Sequence, residues 1–224
     1  MERKKEARVF CCWSGGKDSC LALYRARTRG YVPAMLLSLV DPSRRISRSH
    51  GLPEEVLLAQ SRCMGLELEV VPLPRGGAEA AFETMAERAA GKGCRTGVFG
   101  DIYVEEHRRW IEGVADRSGF QPLFPLWGED TAHLAREFLA AGFRALVVSV
   151  RKGLLGAEFL GADLDEPLIS ALESKGADPC GENGEFHTLV YDGPLFAEPL
   201  PFSAGRVVET EKHFRLEIGV SREP

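Results

Sequence analysis

The sequence lacks any apolar run that approaches the roughly 20 residues of a membrane-spanning helix. Its beginning, MERKKEARVF, carries charges without the apolar segment that a secretory leader places behind them. These two absences predict no membrane association, and we expect a cytoplasmic location.

Paired metal or redox cysteines are also missing. None of the six cysteines forms a Cys-x-x-Cys pair, so neither zinc nor a redox disulfide has a local signature. Most of them lie in apolar or helix-like runs, which predicts reduced thiols of a cytosolic protein. Cys180 precedes a glycine in a turn and has no evident partner histidine motif, so a nucleophilic role in releasing ammonia is not favoured.

The chain has no excess of basic residues. It carries 28 Lys and Arg against 33 Asp and Glu, a formal net charge of -5. This balance argues against a large nucleic-acid interface, although Arg44, Arg45 and Arg48 form one local basic cluster. A length of 224 residues with 44% hydrophobic content predicts a packed core in one large domain, or in one domain with a small appendage.

Apolar runs alternate with amphipathic ones through the first two thirds of the chain. Buried strands are predicted over 7–13, 31–40, 66–73, 96–102 and 143–150, and helices over 19–30, 52–65, 78–91, 104–119 and 130–142. This order predicts the α/β class, with a Rossmann-like parallel sheet covered by helices on both faces. Ligands bind beyond the carboxyl ends of such strands, so the loops after Trp13, Val40, Ile102 and Val150 should surround one cleft.

The pattern changes near residue 150. One helix is predicted near 165–175, followed by extended runs over 185–193, 206–211 and 213–220. We therefore predict a domain over 1–150 that carries the loop described next. A small C-terminal α+β subdomain over 151–224 should pack at the ligand edge of the sheet.

A glycine loop with polar neighbours joins the first strand to the first helix. It reads Ser14-Gly15-Gly16-Lys17-Asp18-Ser19. Glycines let backbone N–H groups approach an oxyanion, and the helix N-terminus adds positive potential, so this loop predicts a phosphate site. Lys17 can neutralise phosphate charge and the two serines can hydrogen-bond phosphate oxygens. Asp18 suits an adjacent Mg²⁺ or the ordering of the loop.

The loop matches neither Gly-x-x-x-x-Gly-Lys-Ser/Thr nor Gly-x-Gly-x-x-Gly. It resembles the loop of the PP-loop ATP pyrophosphatases. That resemblance implies cleavage of ATP between the α- and β-phosphates, adenylation of a carbonyl or carboxylate oxygen, and displacement of AMP by nitrogen or sulfur. It also implies Mg²⁺ to neutralise the departing pyrophosphate.

A second signature, DPCGENGEFHTLVYDGPLF, occupies residues 178–196. Glu182 and Glu185 lie in its glycine-containing turn, and Glu185, His187 and Leu189 share one face of the strand that follows. Ionisable residues on a face that also carries leucine suggest a cleft. A solvated turn before an ordinary strand explains these residues equally well.

Taken together, the motifs resemble the diphthine–ammonia ligase family, a PP-loop subgroup. The resemblance covers roughly residues 7–200 and rests on five segments: SGGKDS at 14–19, Ser49-His50, Gly100-Asp101-Ile102, Pro125-Leu126-Trp127-Gly128 and GENGEFHTLVYDGP at 181–194. It implies an adenine-nucleotide α-hydrolase (HUP) fold. It also implies ATP-dependent amidation, with ammonium, of diphthine, a modified histidine of elongation factor 2.

The same resemblance assigns residues. It implies that Ser14 to Ser19 bind the ATP phosphates, that Asp18 and Asp101 hold Mg²⁺ beside Gly100, and that Glu182 and Glu185 are acids of the acceptor side. Lys17 and Asp18 are also expected in catalysis. The segment Leu37-Ser38-Leu39 should face adenine, and His50 should lie near ATP.

Departures from the family pattern fall on the acceptor side. Asn183 and His187 stand where the archaeal and eukaryotic pattern is closer to glycine and glutamate, and Arg151 and Lys152 make the 151–156 segment more basic. A carboxylate acceptor other than diphthine therefore stays open. So do a PP-loop tRNA-modifying enzyme and a non-catalytic ATP sensor. A homodimer is expected on base rates alone.

Overall fold

The computed structural model describes residues 7–48 and 50–221, in two sheets. Ser49, part of the predicted Ser49-His50 loop, lies outside these ranges. Within them, the cysteines are free thiols, and no helix combines the length and apolarity needed to cross a bilayer.

The first sheet is parallel except at one short strand. Its strands are β1 (Arg8–Cys12), β2 (Val32–Asp41), β3 (Ile46–Ser47), β4 (Glu67–Pro72), β5 (Thr96–Val98) and β6 (Gln121–Leu123). The order is β3-β2-β1-β5-β6, with β4 also pairing with β2, and only β3 runs antiparallel. The predicted α/β class with a mostly parallel central sheet is confirmed.

Helices cover both faces of this sheet. They are α1 (Lys17–Thr28), α2 (Glu54–Cys63), α3 (Ala78–Gly91), α4 (Glu105–Ser118), α5 (Thr131–Ala140) and α6 (Glu166–Ser174), with a short 3-10 turn at Ala157–Phe159. Alternate residues of β1 enter different cores, because side chains of a strand point to opposite faces in turn. Val9 and Cys11 pack in one core with α1 and α2, whereas Phe10 packs in the other with α3 and α4.

The second sheet is antiparallel, with the order β8-β7-β10-β9. Its strands are β7 (Arg144–Arg151), β8 (Phe186–Asp192), β9 (Phe202–Glu209) and β10 (His213–Val220). We expected residues 143–150 in the parallel sheet, and that expectation is wrong. A central strand of either sheet type can be buried on both faces, so the apolar run did not reveal its partners. The division of the chain at residue 150 stays a prediction.

Strand β8 joins the second sheet directly to the glycine loop. The N–H of Val190 donates to the carbonyl oxygen of Gly15 at 3.0 Å. The N–H of Lys17 donates to Oγ1 of Thr188 at 3.1 Å. These bonds hold the second sheet against the carboxyl edge of the first, where the loop lies.

An arginine network fastens α1 to α5. Arg25 forms ion pairs with both Glu129 and Glu137, and its Nη1 donates to the carbonyl oxygen of Pro125 at 3.0 Å. Glu129, His133 and Glu137 also offer ligand atoms within 4.8 Å of one another. Because the guanidinium already pairs with both glutamates, we interpret this cluster as a structural ion network rather than a metal site.

Candidate active site

A cavity of about 380 Å³ lies beyond the carboxyl ends of the parallel strands. Its volume is in the range of small-molecule sites. Both predicted signatures reach it, together with α4 and the loop before α3. Nine of the residues predicted from the sequence line it: Ser14, Lys17, Asp18, Ser19, Leu39, His50, Gly100, Asp101 and Glu182.

The glycines bring other groups close to the loop. Gly15 has a φ of +83°, in the left-handed region that favours glycine. A Cβ on Gly16 would collide with the imidazole of His50. A Cβ on Gly100 would lie 2.8 Å from both the carbonyl carbon of Asp18 and the nitrogen of Ser19. Gly15 and Gly16 therefore act through their backbone and do not line the cavity.

The two serines stabilise the loop. Their hydroxyl oxygens, in Ser14 and Ser19, lie 3.0 Å apart, and the N–H of Gly16 donates to Oγ of Ser14 at 3.2 Å. Hydrogen bonds within the loop restrict its conformations, which lowers the conformational cost of binding a ligand.

Lys17 carries a buried positive charge across the loop. Its Nζ lies 2.8 Å from Oδ2 of Asp18 and also donates to the carbonyl oxygen of Cys180, in the second signature. Burial lowers the pKa of Lys17, but Asp18 and Cys180 outweigh it, so that the pKa lies above its usual value. Burial raises the pKa of Asp18, and Lys17 opposes that rise.

Asp101, in the loop after β5, has a histidine partner that the sequence analysis missed. Its Oδ1 pairs with Nδ1 of His107, in the first turn of α4. This bond raises the pKa of His107. Asp18 and Asp101 line the same cavity with 27% and 13% of their side chains exposed, so both carboxylates are accessible from it.

Glu182 faces these two aspartates. Its Oε1 accepts a hydrogen bond from the N–H of Ile102 at 2.8 Å. Burial is the main reason that the pKa of Glu182 rises to about 7; the charges of Asp18 and Asp101 contribute to this rise, and the Ile102 bond opposes it. A carboxyl group with this pKa can exchange a proton near neutral pH.

Glu185 lies behind the cavity rather than in its lining. Only 4% of the residue is exposed, and its Oε1 accepts from Nδ2 of Asn183 at 3.1 Å. Its Oε2 is buried and finds no hydrogen-bond partner within the described residues. A buried carboxylate oxygen without a donor is costly, so this position favours a small cation.

The far end of the cavity is apolar. Leu39, Leu73, Phe82, Phe99 and Trp110 line it. These side chains come from β2, the loop after β4, α3, the β5 end and α4, and they form a surface suited to a flat aromatic ring.

The adenine segment predicted on β2 only partly reaches this end. Leu37 and Leu39 share a strand face, but Leu37 is fully buried in the core and only Leu39, nearer the carboxyl edge, lines the cavity. Ser38 points to the other face, where its hydroxyl donates to the carbonyl oxygen of Trp13 at 2.6 Å.

Gln60, on α2, is a positioning residue that the sequence analysis missed. It is fully buried, and its Nε2 donates to the carbonyl oxygens of Gly15 at 3.0 Å and Val190 at 2.6 Å. Its Oε1 accepts from Nε1 of Trp13 at 3.1 Å. One amide thus connects the residue that follows β1, the glycine loop and β8. The sequence feature that could have revealed this role is a glutamine within the apolar stripe of an amphipathic helix.

Two imidazoles meet at the edge of the cavity. The rings of His50 and His187 have centroids 4.6 Å apart, and both residues line the cavity. The pKa of His187 is lowered to about 3, mainly by burial and in addition by the charges of Lys17, His213 and Arg215. Burial, and then His187, also hold the pKa of His50 well below its usual value. Both rings are therefore neutral at pH 7.

This arrangement predicts a pH-dependent stability. The pKa of His187 is about 3 in the folded protein, against about 6.5 in an unfolded chain. Between these values the unfolded chain binds the extra proton, so stability falls as the pH decreases below about 7. We expect the free energy of unfolding to fall between pH 7 and 5 by on the order of 1–2 kcal/mol more in the parent than in His187→Gln. Urea denaturation at both pH values tests this, and equal losses in the two proteins would contradict it.

Comparison with known proteins identifies the family. A model described as the diphthamide synthase N-terminal domain matches residues 7–122, and one described as the diphthamide synthase C-terminal domain matches residues 130–222. Proteins named diphthine--ammonia ligase from Homo sapiens and Danio rerio are both 26% identical to this chain, over 90% of its length and 85% and 88% of theirs.

A solved structure described as a predicted subunit of tRNA methyltransferase from Methanocaldococcus jannaschii is 18% identical, with a TM-score of 0.43, over 84% of this chain and 99% of that one. A likeness this weak supports no conclusion about this chain. The two domain models, in contrast, span most of the chain in the order of its two sheets. This protein is a ligase and belongs to the diphthamide synthase family.

Proposed function

We propose that this protein adenylates the carboxylate of diphthine with ATP, releases pyrophosphate, and then amidates the same carbonyl with ammonia, releasing AMP. One observation carries the proposal. The glycine loop, the buried Lys17 amine and the Glu182 carboxyl group converge on one cavity. A phosphate-binding loop and a proton acceptor then face the same reacting centre.

The loop and the apolar end give ATP an orientation. The triphosphate would lie along residues 14–19, where the N-terminus of α1 and Lys17 stabilise negative charge. The adenine ring would lie among Leu39, Phe82 and Trp110 at the apolar end. In this orientation the α-phosphorus would lie between the loop and the second signature.

Asp18 and Asp101 are the residues that would hold Mg²⁺. Both are carboxylates that line the same cavity, and oxygen donors are what this ion prefers. The ion would neutralise charge on the departing pyrophosphate. Because Asp18 also pairs with Lys17 and Asp101 with His107, each ligand is held in place by a cationic or protonatable neighbour.

The acceptor reaction takes place in two steps. A carboxylate oxygen of the acceptor attacks the α-phosphorus, the bond to the bridging oxygen of pyrophosphate breaks, and an acyl adenylate forms. The nitrogen of ammonia then attacks the acyl carbon and AMP leaves. Glu182 accepts the proton that the nitrogen loses. Glu185, whose Oε2 has no partner among the described residues, attracts ammonium, which releases one proton to solvent and then reacts as ammonia.

Product analysis tests the proposal. The protein would be incubated with ATP, Mg²⁺ and ammonium, with and without diphthine-bearing elongation factor 2, and phosphorus NMR would follow the products. We expect AMP and pyrophosphate only when the factor is present, and no products with Asp18→Ala. ADP and phosphate would overturn the proposal.

Two other results would change the proposed acceptor or the proposed class of enzyme. AMP released with a small-molecule extract, but not with the factor, would keep the adenylation chemistry and replace the acceptor. Retention of tRNA at moderate salt, with no response to the factor, would favour a tRNA-modifying enzyme.

A further inference from the structure

A second cavity of about 490 Å³ lies on the other side of the loop that carries His50 and Gly51. The β9–β10 hairpin forms one wall, and the segment from Arg44 to Pro53 forms the other. Arg44 and Arg215 both line it, as does Glu217. The chemistry proposed above makes no use of this cavity.

Arg215 belongs to a row of side chains in the second sheet that reaches from one cavity to the other. In the register of β8, β7 and β10, His187 lies opposite Ser149, and Ser149 lies opposite Arg215. Directly paired residues of antiparallel strands share a face, so these three side chains form one row across the sheet. His187, at one end, lines the first cavity, and Arg215, at the other end, lines the second.

The guanidinium of Arg215 has no counter-ion among the residues that the structure describes. Its side chain makes no hydrogen bond or ion pair within the described residues, and its Nε is buried without a partner. The neighbouring Ser149 hydroxyl, which is fully buried, is also without a partner there. A Cβ on Gly51 would lie 3.0 Å from Nη1 of Arg215, so the guanidinium packs against this loop. A half-buried, unpaired guanidinium is costly unless an anion joins it.

The surrounding charges reinforce this conclusion. Arg44 lines the same cavity, and its guanidinium makes no ion pair in the part of the chain that the structure describes; only its backbone N–H bonds Asp41, at 3.1 Å. The carboxylate of Glu217 is occupied by Arg206, with Oε2 3.1 Å from Nε. The cavity therefore presents two arginines and one neutralised acid.

We propose that the second cavity binds the acceptor through a carboxylate other than the reacting one, which Arg215 and Arg44 hold beside the His50–His187 edge of the first cavity. The assignment rests on the proposed function, which requires the acceptor to lie next to ATP. A guanidinium presents a planar pair of donors that matches a carboxylate. Arg215 stands in the sheet row that leads to His187, so an acceptor held there extends toward the reacting centre.

NMR of the arginine side chains tests the carboxylate site without any enzymatic turnover. Because Nε of Arg215 is shielded from solvent, its N–H should exchange slowly and give a resolved signal in the ¹⁵N-labelled protein. Acetate is the probe, titrated against chloride at constant ionic strength. We expect a saturable shift of this signal with acetate alone, and at least a threefold weaker midpoint in Arg44→Gln. Equal responses to the two anions would overturn the site.

Kinetics test whether the carboxylate belongs to the acceptor. We expect Arg215→Lys to raise KM for the diphthine-bearing factor at least tenfold and to change KM for ATP less than twofold. Lys retains the charge and loses the paired donors. Lys212→Gln, an exposed lysine in the turn of the same hairpin, is the matched control and should change neither value. Thermal melts of each variant check folding.

The outcomes separate this inference from the proposed function. If the parent amidates no diphthine, the proposed function fails, while the acetate titration still decides the carboxylate site. If acetate binds but Arg215→Lys leaves both KM values unchanged, the site holds some carboxylate other than that of the acceptor, and the inference is wrong.

Discussion

Replacing Lys17 by methionine is expected to reduce pyrophosphate release from ATP by about 10²–10³-fold, because a single preorganised charge at a developing anion commonly contributes this much. The side chain of Lys17 is only 3% exposed, and its ammonium group is held between Asp18 and the Cys180 carbonyl oxygen. Methionine keeps much of the apolar stem and removes the charge. Release of pyrophosphate with saturating acceptor and ammonium measures the effect.

Loss of the charge also leaves the Asp18 carboxylate without its cation, so Lys17→Met alone can lower stability. The double variant Lys17→Met with Asp18→Asn removes both charges and should melt closer to the parent while staying inactive. Lys92→Met, which removes an exposed lysine paired with Glu67 at 2.8 Å, is the control for a lost ion pair and should retain full activity. A folded Lys17→Met protein within tenfold of the parent would refute the phosphate role.

Replacing Glu182 by glutamine is expected to slow amide formation by about 10²–10⁴-fold, the usual contribution of a general base. The carbonyl oxygen of glutamine can still accept the bond from Ile102, which spans 2.8 Å in the parent, so the local geometry should persist. Adenylation precedes the proton transfer. Exchange of labelled pyrophosphate into ATP should therefore stay within about threefold of the parent, since the general-base contribution is confined to the later step.

Glu185→Gln separates the two acids. Like Glu182→Gln, this substitution replaces a carboxylate of the second signature by an amide. Unlike Glu182, however, Glu185 lies outside the cavity lining, and its Oε2 has no partner among the described residues. We expect a raised KM for ammonium with kcat little changed. If Glu182→Gln abolished pyrophosphate exchange as well, Glu182 would act in adenylation, and its assignment as the base would be wrong.

Local chemistry in contiguous residues made much of the fold predictable. Residues 78–91 carry helical spacing of apolar side chains and form α3 over the same bounds, Ala78–Gly91. Likewise, the loop at 14–19 follows β1 and opens α1 as expected, because its glycines, its capping position and its polar side chains all lie within six residues. Such features depend on backbone preference and on near neighbours.

Strand partners could not be predicted in the same way. The run Arg144–Arg151 is apolar enough for a central strand of either sheet, and its pairing with β8 and β10 depends on residues far along the chain. The segment predicted to face adenine, residues 37–39, could likewise be only partly predicted from the sequence. Leu37 and Leu39 share a face, but only the depth of each residue in the sheet determines which one reaches the cavity.

By itself, then, the sequence determined the glycine loop, the alternation of strands and helices, and the residue types of the second signature. Only the tertiary structure joined Lys17 to Thr188 across 171 positions, placed the Cys180 carbonyl oxygen on the Lys17 amine and brought Gln60 under the loop. The burial that gives Glu182 a pKa of about 7 also arises there. The physical reason is that charge, burial and hydrogen bonding act through space, whereas a sequence motif reports neighbours along the chain.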